Sequence, residues 1–180
     1  MENETSIKMK VGMYGGKFCP MHKGHLSVIQ TALDMVDVLH VFLFINGDDE
    51  KHIEKAWYTD PQFRFLQVKR AIRDACLTQR DDRIVTVQII DAKDHMSVDR
   101  YGELHEDWED EADAIKTCID HPIDYIFSSE PSYDEFFKEI YPEAQHVIVD
   151  AEREMYNISS TELRSMLRKN KTDEIMKWLI

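Results

Sequence analysis

A parallel α/β architecture, with five or slightly more strands and helices on both faces, is predicted by three observations on this 180-residue sequence. Segments rich in β-branched, aromatic and aliphatic residues alternate with segments whose apolar residues recur at helical spacing. Strands separated by helices imply right-handed β-α-β crossovers, hence a sheet covered on both sides. No linker, repeat or low-complexity tract interrupts the series, and 43% hydrophobic residues with only six glycines and five prolines suit one core. Residues 1–180 are therefore read as a single Rossmann-like domain.

Lys8 to Tyr14 is the first expected strand, containing the apolar run Lys10-Val11-Gly12-Met13-Tyr14. A helix from Gly24 to Asp37 follows, because Leu26, Ile29, Leu33 and Val36 share one face. Val38 to Ile45 and Arg83 to Ile90 are the next strands, with a helix from Gln62 to Leu77 between them. Helix Trp108 to Ile119 precedes strand Asp124 to Phe127, and helix Tyr133 to Tyr141 precedes strand His146 to Val149. Two helices, Ser160 to Arg168 and Thr172 to Leu179, come last. The stretch Asp91 to Asp107, holding Asp94, His95, Asp99, Arg100 and His105, is too polar for core and too long for a tight turn. It is read as a long loop of the functional or mobile kind.

The balance of 35 acidic against 22 basic residues gives a formal charge of -13. A broad nucleic-acid footprint is excluded by that sign, and binding of a small anion has to rely on a local basic pocket. The polar start Met1-Glu2-Asn3-Glu4-Thr5-Ser6 lacks the layout of a signal peptide, and no apolar run approaches a membrane span. A cytoplasmic protein without a membrane partner is expected, and a homo-oligomer is compatible with the sequence. Cys19, Cys76 and Cys118 have neither zinc spacing nor a disulfide framework and are read as reduced thiols.

In parallel sheets ligands bind beyond the carboxyl ends of the strands, where strand order reverses. At the end of the first strand stands Gly15-Gly16-Lys17-Phe18-Cys19-Pro20-Met21-His22-Lys23-Gly24-His25. Gly15 and Gly16 allow a turn with unusual dihedrals and let a phosphate approach without a β-carbon in the way, and Lys17 supplies positive charge. A helix starting near Gly24 turns its first free N–H groups and positive dipole end toward the same loop. A second segment, Ile158-Ser159-Ser160-Thr161-Glu162-Leu163-Arg164, brings hydroxyl and N-cap donors to another helix start, with Arg164 one turn along.

The pattern Gly-x-Phe-x-Pro-x-His-x-Gly-His resembles the signature of the nucleotidylyltransferase superfamily, and Ile158 to Arg164 resembles that family's Ile-Ser-x-Thr-x-x-Arg motif. Lys17 before Phe18, the run Val149-Asp150-Ala151-Glu152-Arg153, and Tyr125-Ile126-Phe127-Ser128-Ser129-Glu130 are similar to the NadR-type nicotinamide mononucleotide adenylyltransferases. Neither an N-terminal helix-turn-helix nor a Walker-type segment after Arg164 accompanies them, so regulation of transcription and nucleoside kinase activity are not implied. The resemblance implies transfer of AMP from ATP to nicotinamide mononucleotide, giving NAD and pyrophosphate, by in-line attack without a covalent intermediate. It assigns catalytic roles to His22, His25, Lys17 and Arg164, and nucleotide binding to Gly15, Gly16, Phe18, Gly24, Ser159, Ser160 and Thr161. Magnesium is implied as cofactor, held mainly by phosphate oxygens and water, with no protein metal site. An aromatic after the third strand is implied to stack on the acceptor base, with Trp108 first and Trp57 second.

Other readings of the same residues stay open. Trp108 is equally the first apolar residue of a helix with Ala112, Ile115 and Ile119. Arg64 either binds the acceptor phosphate or is solvated, and Asp48 and Asp49, after the second strand, are read as capping a turn in preference to binding metal. The pair His22 and His25 could ligate zinc, but no third ligand has suitable spacing. Transfer to phosphopantetheine, cytidylyl transfer to a phosphoalcohol, and a non-catalytic nucleotide sensor are the rival functions. Cytidylyltransferases carry Arg-Thr-Glu-Gly-Ile-Ser-Thr-Thr, whose middle is here replaced by Glu154-Met155-Tyr156-Asn157.

Overall fold

A computed structural model describes residues 8–45, 57–76, 83–91, 96–98, 104–106 and 108–180. Its centre is a five-stranded, all-parallel sheet in the order β3-β2-β1-β6-β7. The strands are β1 (Val11–Gly16), β2 (Val38–Ile45), β3 (Ile84–Asp91), β6 (Tyr125–Ser128) and β7 (Gln145–Ile148). The chain runs outward from β1 to β3, then returns to the other side of β1 with β6. Strand order therefore reverses between β1 and β6, where a cleft opens at the carboxyl edge.

Strand alternation divides the core into two layers. Leu39, Val41 and Leu43 of β2 pack with Val28, Ile29 and Leu33 of α1 (Lys23–Met35) and Val68, Ala71 and Ile72 of α2 (Pro61–Cys76). On the opposite face Met13, Phe42 and Ile126 meet Ala112 and Ile115 of α3 (Trp108–Cys118), and Phe137 of α4 (Asp134–Ile140) packs against them. A smaller cluster of Ile158, Leu163 and Ile175 joins α5 (Ser160–Arg168) to α6 (Thr172–Ile175). Among the described residues, no helix is long and apolar enough to cross a membrane.

Two expectations are corrected. The stretch Asp91 to Asp107, expected as loop throughout, contains an antiparallel ribbon of β4 (Met96–Val98) and β5 (Leu104–Glu106), with Met96 opposite Glu106. Three-residue strands have too little periodicity to be read locally, and cross-strand pairing makes them. The last helix, expected to reach Leu179, ends at Ile175. Beyond it the chain turns, so that the Trp178 carbonyl accepts the Lys23 N–H at 3.0 Å and Leu179 bridges His22. A contact across the whole sequence overrides helical propensity there. The positions of Asp48 and Asp49 lie outside the described residues.

Candidate active site

The glycines ending β1 do not turn. Gly15 and Gly16 pair in register with Phe42 and Leu43 of β2, and the left-handed residue comes after them, at Phe18 (φ 45°). Gly15 is required by close approach instead. A Cβ there would lie 2.5 Å from the Phe44 ring, a separation no side chain tolerates. Phe18, expected to bind nucleotide, is in the core, where it packs edge-on against His25 at 5.1 Å and Tyr14 at 5.4 Å. It supports a histidine instead of lining the site.

His22 is the N-cap of α1 and His25 is its third residue. The two build a capping box from imidazoles: the Gly24 N–H donates to His22 Nδ1 (3.2 Å) and the His22 N–H donates to His25 Nδ1 (3.3 Å). Burial, assisted by the positive field of Arg153, pushes the His22 pKa down to about 4. Burial and then the neighbouring His22 hold His25 well below the usual imidazole value. Both rings are therefore neutral at pH 7. A nitrogen that accepts an N–H carries no proton, so each ring keeps its proton on Nε2. The expectation of bare helix N–H groups facing a phosphate is corrected by this geometry. Lys23 N–H is taken by Trp178 and Gly24 N–H by His22, so the helix start presents imidazole N–H donors.

The second motif forms the opposite wall. Ser159 caps α5, accepting the Glu162 N–H (3.2 Å) and donating to the Glu162 carboxylate (2.7 Å). Ser160 Oγ donates to the Pro20 carbonyl (3.2 Å), and Arg164 Nη1 donates to the Cys19 carbonyl (2.7 Å). Arg164 Nη2 donates to Thr161 Oγ1 (2.9 Å). These bonds tie α5 to the loop after β1, across more than 130 residues of sequence. Ser159 and Ser160 line the cleft, whereas Thr161 and Arg164 are not among its lining residues.

Two adjoining spaces result. A polar cleft is lined by His22, Gly24, His25, Ser159, Ser160 and Arg153. An aromatic cavity is lined by Phe42, Phe44, Phe136, Phe137 and Tyr141, with Lys17 and Glu111 as its charged residues. Gly15, Gly16, Ser128 and Tyr133 border both. Among the described residues no group of three or more metal-ligating side chains occurs.

Two expected site residues fall elsewhere, and the side chain of a third is outside the described residues. Arg64 is neither solvated nor aimed into either space; it is 1% exposed, donating to the carbonyls of Lys17 (3.0 Å) and Phe44 (3.4 Å). Trp57 is half exposed, packs edge-on against Tyr58 and Phe63, and lines neither space. Trp108 opens α3, the helix whose Glu111, Ala112 and Ile115 line the aromatic cavity, while its side chain lies outside the described residues. Arg153 is the residue that the candidate set lacked. It lines the cleft from a turn in which Asp150 (φ 53°) and Arg153 (φ 52°) are both left-handed. The Asp150 carboxylate holds that turn by accepting the N–H groups of Met155 (3.1 Å) and Tyr156 (3.0 Å). The Asp-x-x-Arg spacing was the available signal.

The cytidylyltransferase-like family model matches residues 13–166. The phosphopantetheine adenylyltransferase of Mycoplasma mycoides subsp. mycoides is 27% identical over 158 residues, covering 88% of this chain and 96% of that protein. Two solved structures share the fold: NadR protein in complex with NR (TM-score 0.58, 18% identity, 92% of this chain) and a bifunctional NMN adenylyltransferase/ADP ribose pyrophosphatase from Francisella tularensis (TM-score 0.58, 17% identity, 91% of this chain). This chain spans 42% and 43% of their respective lengths. The family model spans both motif segments, from Gly15 to His25 and from Ile158 to Arg164, and most of the chain between β1 and α5, and on that basis the chain belongs to the cytidylyltransferase-like family of nucleotidyltransferases.

Proposed function

We propose that the protein transfers AMP from ATP to nicotinamide mononucleotide, giving NAD and pyrophosphate. One observation carries the reading: a polar cleft of imidazole and hydroxyl groups, with Arg153 as its cation and Glu130 and Asp150 at its wall, opens, across Gly15, Gly16, Ser128 and Tyr133, into a cavity walled by aromatic rings. The cleft suits a triphosphate, and the cavity suits a flat base better than a flexible amide arm. An acceptor seated base-inward turns its 5′-phosphate to the junction, beside Lys17.

The chemistry follows from charge. The acceptor phosphate oxygen attacks the α-phosphorus in line, the bond to the β-phosphate oxygen breaks, and pyrophosphate leaves. No protein nucleophile is needed, so the residues align two anions and stabilise the charge that grows on the pentavalent centre. His22 and His25 donate from Nε2 to the α-phosphate region. Lys17 spans the donor and acceptor phosphates, Arg153 faces the β- and γ-phosphates, and Ser159 and Ser160 hold them at the start of α5. Arg164 and Thr161 position that helix start. Magnesium bound with ATP would be held by phosphate oxygens and water and would neutralise part of their charge. The Francisella protein, also solved with AMP and a manganese ion, supports a divalent metal. Trp108, one turn before Glu111, remains the proposed stacking residue.

A second reading is favoured by the Mycoplasma relative, which matches nearly end to end: phosphopantetheine as acceptor. Purified protein incubated with ATP, magnesium and either nicotinamide mononucleotide, nicotinate mononucleotide or phosphopantetheine separates the cases. NAD and pyrophosphate are the expected products. Pyrophosphate released only with phosphopantetheine refutes the acceptor while keeping the reaction class.

A further inference from the structure

Ser128 ends β6 at the rim shared by the cleft and the cavity, and it is the first member of a hydrogen-bonded chain that the phosphate chemistry does not use. Its Oγ lies 2.8 Å from His146 Nε2, and His146 Nδ1 lies 3.2 Å from the Asp134 carboxylate at the start of α4. The His146 side chain is 2% exposed and packs edge-on against Phe137 at 4.9 Å. Asp134 also pairs with Lys138, so it is an ionised carboxylate that can only accept.

Directionality follows link by link. Asp134 accepts from Nδ1–H, which leaves Nε2 as the acceptor on the ring's other side. Ser128 must then donate its one proton to Nε2; its contact with the Glu130 carbonyl is longer, at 3.3 Å. The Ser128 oxygen meanwhile accepts the Glu130 N–H at 3.1 Å. What remains on Oγ is a lone pair. Such a group repels phosphate oxygen and takes a donor.

We propose that Ser128 binds a ribose hydroxyl of the acceptor nucleotide, with His146 and Asp134 as positioning residues that keep its oxygen proton-poor. The assignment rests on the nicotinamide mononucleotide reading. If the base lies among the cavity aromatics and the 5′-phosphate reaches the junction, the ribose must cross the rim. Of the residues bordering both spaces, only Ser128 and Tyr133 have polar side chains, and only the Ser128 oxygen has its proton directed away by a buried histidine.

The test is steady-state kinetics of the whole chain with ATP, magnesium and nicotinamide mononucleotide or its 2′-deoxy, 3′-deoxy and matching fluoro analogues. The wild type should lose roughly five- to tenfold in kcat/KM when one particular hydroxyl is removed. Ser128→Ala should lose as much with the intact nucleotide and cease to discriminate, with the KM for ATP unchanged. Asp134→Asn lets the imidazole proton move to Nε2, which turns the Ser128 proton toward the ligand. A fluorine accepts and cannot donate, so this variant should narrow the gap between hydroxyl and fluoro substrates. A wild type indifferent to both hydroxyls, a Ser128→Ala protein that still discriminates, or an Asp134→Asn protein with only a lowered melting temperature overturns the proposal. Failure of the wild type to use nicotinamide mononucleotide at all refutes the acceptor reading and this one with it, and is distinguishable because no NAD forms.

Discussion

His22 and His25 lie ring on ring, 3.7 Å between centroids and 26° between planes, at the first turn of α1. Gly24 leaves room for the stack, since a Cβ there would stand 3.0 Å from His22 Cε1 and crowd the ring. The pair occupies its helix start in the manner of a capping box, and burial keeps it uncharged. It therefore presents two fixed Nε2–H donors and no positive charge, which is how it would meet an anion in the proposed reaction.

His25→Ala should lower kcat by roughly two to three orders of magnitude, as loss of one donor to developing charge typically does. The KM for ATP should change little, because Arg153 and the α5 start still hold the phosphates. Near-normal turnover in that variant would remove His25 from the catalytic groups.

Stability should depend on pH through the same pair. The His22 pKa is about 4 in the folded chain against the ordinary 6.5. Below pH 6.5 the unfolded chain takes up a proton that the folded one refuses. Stability is thus fully present above about 6.5 and is lost progressively toward 4, by up to roughly 3 kcal/mol. His22→Asn keeps an N-cap side chain and removes this titration, so urea denaturation at a series of pH values should give a flatter curve for the variant across that window.

Arg153→Ala should raise the KM for ATP by about tenfold or more, with Arg153→Lys intermediate because an ammonium cannot bind phosphate bidentately. The residue is partly exposed, so the melting temperature should move little. An unchanged KM would leave Arg153 as a bystander.

Arg64→Ala should behave as a core variant. Removing a guanidinium that is 1% exposed strands the Lys17 and Phe44 carbonyls, at a cost of about 3 kcal/mol, or a fall of roughly 6 to 12 °C in melting temperature. A selective rise in acceptor KM at normal stability would instead return Arg64 to the acceptor site.

Much of this was legible along the chain. The five sheet strands stand within one to three residues of their expected ends, because β-branched and aromatic runs and helical periodicity are local properties. The two motifs that wall the cleft were equally legible, since each is contiguous and each opens a helix. Arg64 was misread for a related reason: nothing local distinguishes a guanidinium destined for solvent from one that satisfies carbonyls in the core. Phe18 stood inside a motif yet turned inward at a left-handed φ.

By itself, then, the sequence determined the order of elements, the sheet class and the two motif segments that wall the cleft. Only the tertiary structure decided which of their donors are left unused by the protein itself. Trp178 covers the Lys23 N–H, Pro20 and Cys19 engage Ser160 and Arg164, and His146 bonds Ser128. Each of these bonds joins residues far apart in sequence, and a hydrogen-bonding group's remaining capacity is known only when all its neighbours are in place.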